Sequence, residues 1–486
     1  MKQEDFKLIT GYPFIYEFTD HIREIFNEDT PLGNVVEIKQ GMITGDNKRF
    51  LRYKWEIPSD LIGKRFYPYA KGGGNEKWSN NIVNYIDWEN DGKTIKDVAR
   101  EKYGSETRTV KNQQYFFREG LTYSDVGSDA GGEDFSIRYL PKGCIFDVKG
   151  SCIFSNDIDM YWLLAFMNSK FVNFILSQLN PTPSFQVCDL VRIPYRKGNE
   201  EQRKRLIEIA KESYKLKSYI LGFDYLSDFY HDVEIAEGLK LGASTIHQAY
   251  EKYSTKLKEV EGRLFELKNE LDEIVYSMYG LTDDEVALIN RLVNGVKSSA
   301  LMSIEKATFL WVKSIIKDAM IDEKPRLYLD YEIKNILTNR LELIFGKENG
   351  YLRYEEIEEI LNKDFIEILQ SGVKIDNSVE QIAGDSTKNL SEPILCTVKL
   401  GGKGNTSVKV FYNSQQFLLE YQEERKYVMQ NEIRRLAEEI FIPKLHRNKE
   451  KLTDTYLTKI EAEIVEKEIL LFEECIKTLE KWKVVD

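Results

Sequence analysis

Tyr250, Tyr253, Leu257, Val260, Leu264, Leu267, Leu271, Ile274 and Met278 follow one another at alternating steps of three and four residues. Only an α-helix gathers side chains at that spacing onto one stripe, so this part of the chain is committed to a long helix whose apolar seam must be covered. The cover is either another helix of the same chain or a partner coil. Tyr279-Gly280 supplies a C-terminal stop, and Thr282 is placed to cap a following helix. Charged helices dominate from Glu200 onward, and beyond about residue 300 the one β-type stretch runs from Ile394 to Tyr412. There Cys396-Thr397-Val398-Lys399-Leu400 and Ser407 to Tyr412 flank Gly401-Gly402-Lys403-Gly404-Asn405, which suits a hairpin. A last charged helix carries Val465, Ile469, Phe472, Ile476 and Leu479.

The first 200 residues read differently. Short β-type runs such as Val35 to Ile38, Ile82 to Ile86 and Gly143 to Val148 alternate with glycine-rich turns at Gly72-Gly73-Gly74 and between Gly127 and Gly132. A helical pattern from Asp157 to Leu179 then stops at Asn180-Pro181-Thr182-Pro183. With 486 residues the chain exceeds what one core serves. The expectation is an α+β chain: a mixed α/β domain over 1–200, a helical spacer with the coiled-coil-like seam over 201–300, and a mainly helical domain with a small hairpin over 301–486.

No apolar run approaches a membrane span, and the first residues lack a signal peptide's apolar stretch, so a cytoplasmic protein with no membrane partner is expected. Five cysteines and four histidines are scattered without metal-ligand spacing. The formal charge of −12 speaks against nucleic acid until its distribution is examined. Residues 39–118 hold 16 basic against 10 acidic side chains, a locally basic window in an acidic chain.

Catalytic motifs are imitated but incomplete. Gly92-Lys93-Thr94 lacks the upstream glycine of a phosphate loop, and Gly401 to Gly404 lacks the hydroxyl residue. The loop at Asp125 to Gly132 suggests a cofactor turn but is followed by Phe135 to Tyr139, which reads as a strand and not as the required helix. Asn180 to Phe185 displaces the second proline and the aromatic of a base-flipping loop. Glu37-Ile38-Lys39 with Asp29, and Glu332-Ile333-Lys334, match half of a nuclease pattern, as triplets in a Glu- and Lys-rich chain will.

One run is more specific: Gly33 to Arg52, reading GNVVEIKQGMITGDNKRFLR. It resembles the opening of the specificity region of PglX-like adenine-specific DNA methyltransferases of BREX phage-defence systems, and of related fused restriction-modification enzymes. The likeness continues in order through Phe66 to Gly73, Lys77-Trp78, Val83 to Tyr85, Trp88 to Gly92, Phe116 to Ser124, Phe135 to Pro141 and Leu164 to Lys170, closing at Asn180 to Pro194. It spans roughly residues 10–280.

This resemblance implies a DNA target-recognition role, with double-stranded DNA as partner. It also implies a methyltransferase catalytic domain or subunit, and further phage-defence proteins, as partners. No cofactor is expected in this chain; S-adenosylmethionine is implied for the catalytic partner, since this chain starts where the family's catalytic domain should have ended. Expected DNA contacts are Lys39, Gln40, Thr44, Asn47, Lys48, Arg49 and Arg52, in and beside a turn flanked by Gly41 and Gly45. Lys71, Lys77, Trp78, Arg108, Lys111 and Arg118 add donors from the basic window. The nearby aromatics Phe50, Tyr53, Trp55, Phe66, Tyr67 and Tyr69 read as core. Two rival readings stay open: a complete but divergent methyltransferase or nuclease, and a coiled-coil scaffold that does not touch DNA.

Overall fold

A computed structural model describes residues 17–54, 57–72, 76–126, 135–180, 182, 184–224, 227–293, 301–319, 326–328, 330–362, 394–399, 407–412, 436–454 and 456–481. The chain divides into two units, Met1–Lys54, Ser59–His231 and Ser254–Leu301 forming the first, and Trp55–Pro58, Asp232–Tyr253 and Met302–Asp486 the second.

In the first unit α1 (Asp20–Glu28) and a short β1 (Thr30–Pro31) lead to β2 (Glu37–Lys39), then through α2 (Asn47–Phe50) to β3 (Leu51–Tyr53), β4 (Phe66–Ala70) and β5 (Asn84–Asp87). α3 (Glu89–Tyr103) is followed by β6 (Gly120–Tyr123), β7 (Ile137–Leu140), β8 (Ile145–Phe146) and β9 (Cys152–Phe154). Two four-stranded sheets result, ordered β2-β9-β6-β7 and β3-β5-β4-β8, with β4 and β8 parallel and the other neighbours antiparallel. β2 and β9 lie in one sheet, β3 and β8 in the other, so the chain crosses between the sheets over 40–50 and again over 147–151. Met42 bridges Asp147 where these crossings meet. Tyr69, Ile86 and Phe146 from one sheet and Leu140, Cys152 and Phe154 from the other fill a shared core with Trp88, Ile95 and Phe116.

The apolar stretch that reads as one helix from Asp157 to Leu179 forms two, α4 (Met160–Met167) and α5 (Lys170–Leu179). The break serves the edge of β7. Asn168, fully buried, donates from Nδ2 to the Ile137 and Leu164 carbonyls at 3.0 Å each, and its Oδ1 accepts from Ile137 N at 3.4 Å. Asn173 Oδ1 accepts from Phe135 N at 3.1 Å. Aliphatic side chains could not satisfy those buried backbone groups. Ser169 restarts the helix by accepting from Val172 N.

After α6 (Val187–Leu190), β10 (Pro194–Tyr195) pairs with β1. Then comes α7 (Glu200–Leu221), capped by Asn199 and Gln202 in a reciprocal box. α8 (Glu234–Lys240) belongs to the second unit, and α9 (Ile246–Tyr279) returns to the first after Tyr253. At 34 residues α9 is about 51 Å long. It lies antiparallel to α7, with Gln202 bonded to Ser277 at 3.0 Å, Arg205 to Glu270 at 2.5 Å and Arg263 to Glu212 at 2.7 Å. Leu267, Leu271 and Met278 of the seam are buried in the core of this unit together with Val275 and Tyr279. Over this stretch the seam is covered by its own chain. Gly280, at φ +64°, ends the helix. Thr282 caps α10 (Asp283–Leu292) in a reciprocal box with Glu285, as the sequence suggests.

In the second unit α8 packs on α11 (Ile304–Ala319). β11 (Arg326–Tyr328) is followed by α12 (Asp330–Phe345) and α13 (Lys347–Leu361), which pack on each other, and then by β12 (Ile394–Lys399) and β13 (Ser407–Tyr412). β12 and β13 form the expected antiparallel pair, with β11 on the other side of β13; the Gly401–Asn405 turn lies outside the described residues. α14 (Ile442–Lys451) and α15 (Lys459–Lys481) close the chain, and Val465, Ile469 and Phe472 are buried. No helix among the described residues is long and apolar enough to cross a membrane.

Glu285 ties α10 to the start of α1. Its carboxylate accepts from the Thr19 hydroxyl, from Thr282 N at 2.9 Å and from His21 Nδ1 at 3.0 Å. Burial pushes its pKa up, but these hydrogen bonds outweigh burial and hold it below the ordinary 4.5. The ionised group therefore stabilises the fold above the ordinary value, and that contribution drains away as pH falls through the lowered one. Denaturant unfolding followed from pH 7 down to pH 3 should show Glu285→Gln less stable at neutral pH, with a flatter acid-side decline. Equal slopes for the two proteins would refute this coupling.

Candidate nucleic-acid interface

The turn that holds most of the predicted contacts is fixed at its base by backbone. Met42 N donates to the Phe146 carbonyl at 3.0 Å, Val148 N to the Met42 carbonyl at 2.8 Å, and Ile43 N to the Thr109 carbonyl at 2.9 Å. Gly41 passes so close to this seam that a Cβ would fall 2.1 Å from the Phe146 carbonyl oxygen, so no side chain fits. Gly45, at φ +73°, turns the chain into α2, where Asp46 accepts from Arg49 N at 3.1 Å. Beneath the turn the Tyr69 hydroxyl donates to Asp147 Oδ2 at 2.6 Å and lies 3.3 Å from the Met42 carbonyl. Burial first, and then the Asp147 charge, raise the Tyr69 pKa well above its ordinary value, so this phenol remains a donor.

A second segment closes against the turn. Asn112 Nδ2 donates to the Gln40 carbonyl at 2.8 Å, which sets residues 108–112 beside 40–43. Exposed Asn47 and Arg108 and half-buried Gln40 and Lys111 thus belong to one neighbourhood. At its margin Lys39 lies 5.1 Å and Arg118 5.2 Å from the ring centre of Tyr115, and both approach Glu37, at 3.9 and 3.8 Å. Tyr115 donates its hydroxyl to the same carboxylate. Two cations share one acid there, so the cluster keeps positive charge.

Four of the predicted contacts are placed inside. Thr44 is 4% exposed and donates its hydroxyl to Asn47 Oδ1 at 2.5 Å. Arg52, 6% exposed, donates to the carbonyls of Arg49 and Leu51 at 3.2 and 2.8 Å. Both shape the turn from within. Lys77 and Trp78 are buried beyond the opposite edge of the first sheet, where Trp78, at φ +72°, exchanges backbone bonds with Ile137 and Tyr139. Four strand spacings, about 19 Å along the sheet, separate them from β2. Lys71 stays near the turn, because Asp147 N donates to the Ala70 carbonyl at 2.9 Å. Half-buried Arg49 stacks 5.1 Å from the Phe50 ring centre. The Lys48 side chain, like Trp55, lies outside the described residues. Of the other nearby aromatics, Phe50, Phe66 and Tyr69 are buried, and Tyr53 and Tyr67 half-buried.

The surplus of basic residues in 39–118 is partly consumed by pairing. Arg65 binds Asp87 at 2.7 Å, Lys96 binds Asp91 at 2.6 Å, Arg100 binds Asp97 at 2.6 Å, and Lys54 binds Asp228 at 2.7 Å. Sequence reasoning also passed over Ile43, which is exposed at the head of the turn. The available signal was its place between Met42 and Thr44 in a glycine-bounded turn, where neighbouring side chains face opposite ways.

The motifs that imitate catalytic loops have structural explanations. β6 and β7 are antiparallel neighbours, so the segment between them, whose residues 127–134 lie outside those described, joins a hairpin and leads into a strand. Asn180 donates to the Ser184 carbonyl at 2.9 Å and to Asp189 Oδ2 at 2.8 Å, closing the turn after α5; Pro181 and Pro183 are outside the described residues. Asp29 pairs with Arg196 at 2.9 Å, while Glu37 is held by Tyr115, Lys39 and Arg118.

No family model matches the chain. Among curated proteins it is similar to part of two adenine-specific methyltransferases. The relatives are the PglX and BrxX enzymes: PglX of Lacticaseibacillus casei (strain Zhang) is 30% identical over 301 residues, and BrxX of Escherichia coli O9:H4 (strain HS) 34% identical over 222. These matches take in 58% and 43% of this chain but 24% and 17% of the relatives, so the chain spans a quarter or less of their length. Among solved structures, the Type IIL restriction-modification enzyme MmeI in complex with DNA aligns with 54% of this chain and 35% of its own, at 15% identity and a TM-score of 0.35.

Tyr69→Phe should leave Asp147 Oδ2 without its donor at a cost of about 1–3 kcal/mol. Amide exchange at Met42 and Val148 should accelerate while the α9 amides near Leu271 keep their protection. Unchanged exchange at Met42 would mean that the phenol does not secure the turn.

Proposed function

We propose that this chain is the DNA-specificity segment of an adenine-N6 methyltransferase of a phage-defence system, of BREX or restriction-modification type. The observation that carries this reading is the clamped turn at 40–47, with Lys39, Gln40, Asn47, Arg108, Lys111 and Arg118 gathered around it. Kinship with PglX and BrxX supports it. A loop clamped at its base and edged by cations can present side chains to a major groove while its neighbours meet phosphate.

In this reading Lys39, Lys71, Arg108, Lys111 and Arg118 supply affinity and register through phosphates, and Gln40, Asn47 and Arg49 address base edges. Thr44 and Arg52 hold the loop's shape from inside. The fixed duplex presents one adenine, extruded from the stack, to a catalytic domain that holds S-adenosylmethionine. None of the residues discussed is assigned to that cofactor. Coverage of the seam by the chain's own helices leaves less surface for the scaffold alternative.

The chain should bind duplex DNA with an affinity that falls roughly a hundredfold between about 50 and 200 mM salt if about four phosphates are neutralised. Fluorescence anisotropy with labelled duplex measures this, and undetectable or salt-independent binding defeats the reading. Arg108→Ala and Lys111→Ala should weaken every sequence alike, each reducing the salt slope by about 0.9, whereas Gln40→Ala should cost about 1–3 kcal/mol on the cognate sequence only.

Incorporation of labelled methyl groups tests the partnership. The chain alone should transfer none, and together with the matching catalytic domain it should direct methylation to adenine in one sequence. Transfer by this chain alone would overturn its assignment to specificity.

A further inference from the structure

Within the run 41–44, Gly41, Met42 and Thr44 are buried and Ile43 is 39% exposed. It is exposed without being loose. Its own N–H is bound to Thr109, the carbonyl before it accepts from Val148, and the hydroxyl after it is bound to Asn47. The side chain is β-branched and therefore stiff at its first torsion. A branched aliphatic group is thus held out into water at the head of the turn, with polar Gln40, Asn47, Arg108 and Lys111 nearby.

Groups of that polar kind address phosphates and base edges. An aliphatic group among them needs an apolar counterpart, and the major groove offers one, the 5-methyl group of thymine. We propose that Ile43 contacts the 5-methyl of a thymine and so fixes an A·T pair at one position of the recognised sequence. This rests on the DNA-binding reading and adds to it a residue and the base that it selects.

The test starts from duplexes that the full chain selects from a randomised pool. The selected duplex is resynthesised with deoxyuridine in place of thymidine, one position at a time, which removes a single methyl group and leaves pairing intact. One position should lose about fourfold in affinity, equivalent to the ~0.8 kcal/mol of one buried methyl-sized group at about 1.4 kcal/mol per factor of ten. Ile43→Ala, a surface change, should lose about as much on the thymidine duplex and no longer distinguish the two bases. Ile43→Val should keep the distinction.

A selected sequence without an A·T pair, silence at every deoxyuridine position, or a penalty that survives in Ile43→Ala would each overturn the assignment while leaving DNA binding intact. The silent result combined with weakened binding by Ile43→Ala would mark the side chain as a wedge between bases instead of a reader of thymine. Failure of the unaltered chain to select any duplex would sink the DNA-binding reading, and this inference with it.

Discussion

Asp147, through its buried carboxylate and the backbone around it, holds together three segments that chain order keeps apart. Oδ2 accepts from Tyr69 on β4, Oδ1 from Lys149 N at 2.8 Å, and the backbone on either side is bonded to Met42 and Ala70. A carboxylate taken out of water without such donors would cost several kcal/mol, so the arrangement that supplies them is strongly preferred over any in which one is missing. Two of the chain's passages between the sheets, over 40–50 and 147–151, meet here. The path of the turn at 40–46 is thereby fixed, and with it the place of each side chain it carries.

What the sequence made legible is what depends on near neighbours. The α9 seam, its stop at Gly280, the cap at Thr282 and the paired strands β12 and β13 follow from periodicity and local backbone chemistry. The break between α4 and α5 depends instead on Ile137, 31 residues before Asn168, and an apolar stripe gives no sign of it. The basic window suffers from the same blindness. Counting charges along the chain treats Arg65 and Lys54 as available, although Asp87 and Asp228 are bonded to them. Donor-bearing side chains in the basic window suggested surface for Thr44, Arg52, Lys77 and Trp78, yet Thr44 and Arg52 are the donors that the turn needs on its inner side, and Lys77 and Trp78 are buried beside β7. Ile43 was missed for the mirror reason, since an aliphatic residue inside a glycine-bounded turn reads as core until Met42 is seen to occupy the inward place.

The base of the turn and its head are therefore held by different means. Gly41, Met42, Thr44, Tyr69 and Asp147 define the backbone path through hydrogen bonds and close approach, none of which involves the side chains of Ile43 or Gln40. Surface substitutions away from such features usually change stability by about 0.5 kcal/mol or less. The residues that would meet a ligand can accordingly differ between relatives without disturbing the frame that presents them. In the proposed role, this separation lets a specificity segment acquire a new target without acquiring a new fold.

Charge at the margin of the turn follows a related logic. Lys39 and Arg118 share Glu37, and the Tyr115 hydroxyl donates to the same carboxylate. A phosphate approaching this pair competes with an anion already in place, so each cation gives up part of one interaction to make another. Among the described residues, exposed Arg108 and the neighbouring Lys111 share no acid in that way. Counterion release, and hence the salt dependence of any DNA binding, should accordingly be weighted toward Arg108 and Lys111. The Lys39 and Arg118 pair, stacked on one ring and oriented by one acid, is better suited to fixing the angle at which a backbone lies than to drawing it in.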